Sequence, residues 1–214
     1  MKTKLKIAAF YLLALILGGC VPSLHPLFTE NELIFDANLV GIWAPVDSNE
    51  TWEFKPSGKS DSNSYECIYI ENNGKSGGFY AGLGNLGDNM FLDIYPKELN
   101  LSENDFYKTH FVAAHSFMRA QLTKDSLELR VMNPGNLDKL LKSDPGIIKH
   151  ERLESGGIVL TAPTKELQKF MLKYGINEKL ELFGERKKAD KLHRVKTDKS
   201  NDVNDKQPKG ASQK

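Results

Sequence analysis

Seven short runs with strand-like composition follow one another between residues 40 and 133: VGIWAPV (40–46), TWEFKP (51–56), SYECIYIE (64–71), GGFYAGL (77–83), NMFLDIYP (89–96), KTHFVAAHSFMRAQL (108–122) and SLELRVMN (126–133). Most of the breaks between them are short and rich in Gly, Asn, Asp and Ser, the residues of turns. Short breaks leave no room for crossover helices, so successive strands must run antiparallel. A further hairpin is expected from IIKHERL (147–153) and GIVLTA (157–162) across Glu154-Ser155-Gly156-Gly157. Such a meander has an apolar face to bury and edges to hide. Trp52 and Phe54 share one strand face, with Thr51 and Glu53 opposite; Leu127, Leu129 and Val131 alternate with Glu128 and Arg130. Closing about eight strands into an up-and-down barrel meets both demands. The expected class is therefore mainly β. A barrel of that size is either filled by its own side chains or holds one small ligand.

Two helices are expected after the strands. NPGNLDKLLKSD (133–144) offers Asn133 as N-cap and Pro134 at the first helical position. PTKELQKFMLKYG (163–175) places Leu167, Phe170, Met171 and Tyr174 on one stripe, which docks a C-terminal helix on the barrel, with Gly175 as its stop.

The N-terminus reads as an address. MKTKLK is basic, IAAFYLLALIL is apolar and uncharged, and Gly18-Gly19-Cys20 follow. That is the layout of a secretory signal peptide, and the apolar run falls short of the roughly 20 residues that span a bilayer. The expected organisation is a signal peptide (1–19), a tether (20–38) held extended by Pro22 and Pro26, the barrel domain (39–184) and a disordered tail (185–214). The tail holds ten lysines and arginines against five acids, with few large apolar residues to repay ordering. Arg186, Lys187, Lys188, Lys191 and Arg194 are its candidate contacts to an anionic surface. The remainder of the mature chain is acidic.

Leu17-Gly18-Gly19-Cys20 resembles the lipobox of bacterial lipoproteins. The resemblance implies cleavage before Cys20, lipidation of its thiol and anchoring in the cell envelope. Val21 stands where the enteric-type sorting pattern has an Asp for inner-membrane retention, which points to the outer membrane. Gly41-Ile42-Trp43 resembles the Gly-x-Trp that opens the first strand of lipocalins and related barrels. It implies structural roles for Gly41 and Trp43, and a late arginine stacked on the tryptophan; Arg130 and Arg152 are both candidates. The span from SLHPLF to APTKELQKFM is similar to a group of uncharacterised bacterial lipoproteins, which implies no activity.

The remaining chemistry is sparse. With Cys20 lipidated, Cys67 is the only free thiol and reads as a core residue. GLGNLG (82–87) has the spacing of a dinucleotide loop but precedes a strand, so a hairpin turn is the expected form. His110 and His115 fall in one strand run, five apart and hence on opposite faces, and no metal-ligand spacing joins them to His150. No nucleophile motif accompanies Ser102, Ser116 or Ser126. No enzyme activity, cofactor, metal or nucleic-acid partner is expected. Trp52, Phe54, His115, Phe117 and Arg119 are the candidate ligand contacts, with Arg119 either outward on the wall or a cation at the barrel mouth. The expected function is a lipid-anchored barrel for a small apolar or amphipathic ligand; the alternative is an interaction module with a solid barrel.

Overall fold

The computed structural model describes residues 20–58, 62–97 and 104–196. The expected signal peptide and the tail from residue 197 onward lie outside them. Among the described residues eleven strands form: β1 (Pro22–Ser23), β2 (Gly41–Pro45), β3 (Thr51–Pro56), β4 (Ser64–Ile70), β5 (Ser76–Leu86), β6 (Asn89–Pro96), β7 (His115–Leu122), β8 (Ser126–Val131), β9 (His150–Arg152), β10 (Ile158–Leu160) and β11 (Asp190–Arg194). The helices are α1 (Asp105–Lys108), α2 (Pro134–Ser143) and α3 (Thr164–Phe170), the last continued by a π-type turn over Met171–Gly175.

Strands β2 to β8 run up and down in chain order, and β11 pairs antiparallel with both β8 and β2. The result is a closed eight-stranded antiparallel barrel, as the alternating runs predict. Trp43, Phe54, Tyr65, Cys67, Leu83 and Leu127 fill its interior. A second core lies outside the wall. There Phe91 and Phe117 of the barrel meet Leu137 and Leu141 of α2, Leu160 of β10, and Leu167 and Phe170 of α3.

Both helices arise as the sequence predicts. The Asn133 side chain accepts from the Asn136 N–H at 3.0 Å, which caps α2, and Pro134 opens it. Leu167, Phe170 and Met171 are buried, and Tyr174 packs beside them.

Four expectations are corrected. First, the tail does not begin at residue 185: Asp190–Arg194 is the strand that closes the barrel, with Leu192 buried inside. Second, residues 20–38 are not a free tether. β1 pairs antiparallel with β7 and parallel with β10, and Val21, Leu27 and Phe28 are buried in the outer core. Third, the GLGNLG segment is mostly strand, and the turn follows at Gly87-Asp88. Its glycines serve close approach: a Cβ at Gly84 would stand 2.7 Å from the Phe28 ring, and one at Gly82 2.7 Å from Leu33. Their bare backbone lets residues 28–34 lie flat on the wall. Fourth, the seventh strand begins at His115, so His110 lies outside it. Asn104 caps α1 by accepting from the Tyr107 N–H at 3.0 Å, and a helical turn replaces the expected strand there.

Candidate functional site

Gly41, Trp43 and Arg194 seal one end of the barrel. Trp43 is fully buried, and its indole N–H donates to the Leu39 carbonyl at 2.8 Å. The Arg194 guanidinium lies 4.3 Å over the indole ring. It also donates to the carbonyls of Val40 (2.7 Å), Lys124 (2.8 Å) and Asn38. Gly41 has φ +135°, and a Cβ there would stand 2.6 Å from Arg194 Nη1. The arginine over the tryptophan is thus neither Arg130 nor Arg152. It comes from the strand that composition assigned to the tail, and each of its three guanidinium nitrogens donates to a local carbonyl, which holds it over the indole rather than out toward an anionic surface.

The five candidate ligand contacts do not form one site. Trp52 and Phe54 face inward, with ring centroids 6.3 Å apart, and Trp52 meets Tyr69 at 4.5 Å. His115, Phe117 and Arg119 share a face, but it is the outer one. The β6–β7 register pairs Phe91 with Arg119 and Asp93 with Phe117, while Leu92 and Met118 point inside. Phe117 is buried in the outer core, and Arg119 donates to Glu178 and Asn89, both at 2.6 Å.

His115 belongs instead to a groove of about 320 Å³ on the outer wall. Phe28 and Leu33 of the N-terminal segment form one side; Tyr80, Asp93, Tyr95 and His115 of the barrel form the other. Asp93 is buried, accepts from the Leu27 N–H at 2.8 Å and pairs with His115 Nδ1 at 2.8 Å. Burial raises its carboxyl above the usual range, and the bonds to His115 and Leu27 oppose that rise. Tyr95 packs on the imidazole at 4.6 Å. The carboxylate therefore orients the ring and latches the N-terminal segment to the wall at once. Among the described residues, no serine or cysteine side chain hydrogen-bonds to that imidazole.

Other candidate groups lie apart. His110 contacts the Phe106 carbonyl and His150 that of Ile148. Among the described residues, no group of three or more His, Cys, Asp or Glu side chains is placed to hold a metal ion. Cys67 is buried in the barrel, and desolvation with a smaller contribution from Glu53 pushes its thiol up to about 12.

Sequence reasoning missed Asp93, Tyr95 and Glu178, and it gave Arg194 a surface role in place of the seal. For Asp93 a signal existed: it is the single acid inside the apolar FLDIYP run. Glu178 bridges buried Arg130 (2.9 Å) and Arg119 (2.6 Å), tying residues 176–181 to the outer wall. The Arg130 hydrogen bond leads in holding its carboxyl down to about 2, with Arg119 adding to it. Glu178→Gln strips a buried guanidinium of its counter-charge; because the Glu178 side chain is about half open to water, which screens the pair, the cost should be about 1 kcal/mol. Because the folded carboxyl titrates below its ordinary 4.5, the contribution is complete above that pH and fades as pH falls toward about 2. Denaturant midpoints of wild type and variant, measured from neutral to acid pH, should converge at the acid end. A gap that does not narrow in acid would refute the assignment.

No family model, curated protein or solved structure matches the chain.

Proposed function

We propose that the chain is a lipid-anchored protein of the bacterial cell envelope, a lipocalin-like barrel that acts as a non-catalytic binding module through its outer wall. One observation carries the binding part: where the open space lies. Trp43, Phe54, Tyr65 and Leu83 fill the lumen and are at most 1% exposed, while the groove beside the N-terminal segment is open. Its volume is at the lower end of small-molecule sites. Phe28, Leu33 and Tyr80 give it apolar walls, and the Asp93–His115 pair with Tyr95 gives it a polar end. That combination suits a small amphipathic molecule. The lipocalin kinship draws on the meander barrel and on the Gly41–Trp43–Arg194 seal.

The anchoring part draws on the Leu17-Gly18-Gly19-Cys20 sequence and on Cys20 being exposed two positions before β1. Val21 favours the outer membrane. The basic residues of the C-terminal stretch, other than Arg194, are the proposed contacts to anionic polymer or lipid.

Cys20→Ala should move the protein out of the membrane fraction or leave a longer precursor. Equal labelling of wild type and variant by an acyl-chain probe would overturn the anchoring. For the groove, full-length protein extracted from membranes should carry small amphipathic molecules by mass spectrometry, and Tyr80→Ala should carry fewer. Recovery of none from wild type would remove the ligand and leave a solid interaction module.

A further inference from the structure

Residues 104–114, between β6 and β7, expose a cluster of apolar side chains. Phe106 is 78% and Val112 75% exposed, and Tyr107 and Phe111 are each nearly half exposed. The aromatic contacts are local: Phe106 with His110 at 5.0 Å and Tyr107 with Phe111 at 5.1 Å. Lys108, paired with Asp105, adds a cation. Aromatic rings beside a lysine are the side chains that settle at a membrane–water interface.

The position of Cys20 identifies the occupant. The β1–β7 register sets Pro22 opposite Ser116 and Ser23 opposite His115, so Cys20 leaves the fold beside the first residues of β7. Val112 lies four positions before Ser116, at most about 14 Å of extended chain. No slack lies between Cys20 and the fold, because Val21 is 2% exposed and Pro22 opens β1. A lipid on Cys20 therefore holds the wall beside the start of β7 against the headgroup layer, with no tether to hold it off and with the 106–112 segment within reach.

We infer that Phe106, Tyr107, Phe111 and Val112 form a membrane-contacting tip that enters the headgroup–acyl boundary beside the lipidated Cys20 and sets the orientation of the barrel on the bilayer. This rests on the anchoring proposed above. Lipid holds the protein; the tip stops it from rocking and points the Gly87-Asp88 turn, at the opposite end of the barrel, away from the surface.

The test has two arms. In the first, full-length lipoprotein carrying Val112→Cys or Asp88→Cys is labelled with an environment-sensitive thiol probe and reconstituted in phosphatidylethanolamine/phosphatidylglycerol vesicles containing spin-labelled lipid. Buried Cys67 stays unlabelled in the folded protein. Quenching should be about tenfold stronger at position 112 than at 88, since only the tip is buried in lipid. Equal quenching at both positions overturns the inference. The second arm needs no acylation. The Cys20→Ser chain produced without residues 1–19 should still co-sediment weakly with the same vesicles, and Phe106→Ser with Val112→Ser should reduce that binding about tenfold without moving the melting temperature. Unchanged binding overturns the tip. Should wild type prove unacylated, the anchoring falls on its own, and the second arm still decides the tip.

Discussion

A chain ending at Gly184 is expected to lose its fold, whereas a chain ending at Lys196 keeps it. The first cut removes β11, which supplies both ladders that close the barrel: Leu192 opposite Leu127 on β8 and opposite Pro45 on β2. Without it, β2 and β8 become open edges and the lumen is exposed to water. Losing buried Leu192 alone costs roughly 2 kcal/mol. The Arg194 hydrogen bonds and the stack on Trp43 go with it, as does the Val195 N–H bond to the Ile42 carbonyl at 2.8 Å. Together these reach the roughly 5–15 kcal/mol that holds a domain of this size folded. The shorter chain should show no cooperative thermal transition and should aggregate through its open strands. The longer chain retains every described pairing of β11 and should melt as the full chain does. A cooperative melt from the chain ending at Gly184 would show that β11 is an accessory strand.

Trp43→Ala is expected to be the most damaging single substitution, at roughly 3–5 kcal/mol for deleting a buried tryptophan. The ring is fully buried, and its loss leaves a cavity at the sealed end and the Leu39 carbonyl without its partner. Arg194→Ala should cost less, about 2 kcal/mol, because it removes charge-assisted bonds to carbonyls near the surface and leaves the ring in place. The two effects should be strongly non-additive: once Trp43 is gone, Arg194 has lost the face it covers. Gly41→Ala adds a distinct check. Its Cβ collides with Nη1, and φ +135° is hostile to any L side chain, so the variant should be destabilised by a comparable amount. Removing the collision with Arg194→Ala should recover only part of that loss, since the backbone strain remains. Denaturant unfolding of the three single and two double variants separates these contributions. Additive losses for Trp43 and Arg194 would mean the two do not act as one seal.

Most of the barrel wall was readable because its strands carry their reasons locally. Alternation at Trp52-Glu53-Phe54 and at Leu127 to Val131 states which side faces in, and the turn residues state where each strand stops. The same holds for α2, whose cap and first proline lie in adjacent residues. The site was less readable. That His115, Phe117 and Arg119 share a face follows from period two. Which face it is depends on the register with β6 and on the outer core covering part of the wall.

The amino-acid order by itself thus determined an antiparallel meander, two helices, one of them with a docking stripe, and the motif that ends at Cys20. Tertiary structure alone decided how the barrel closes and what covers it. Asp190–Arg194 has one apolar residue, and no local rule makes it a strand. Two ready edges, β2 and β8, and a tryptophan face awaiting Arg194 order it. Residues 20–34 are likewise ordered by a glycine-lined wall and by the Asp93 carboxylate, distant in sequence and adjacent only in the folded chain. Ordering of this kind is repaid by partners far along the chain, so composition within a window underestimates it.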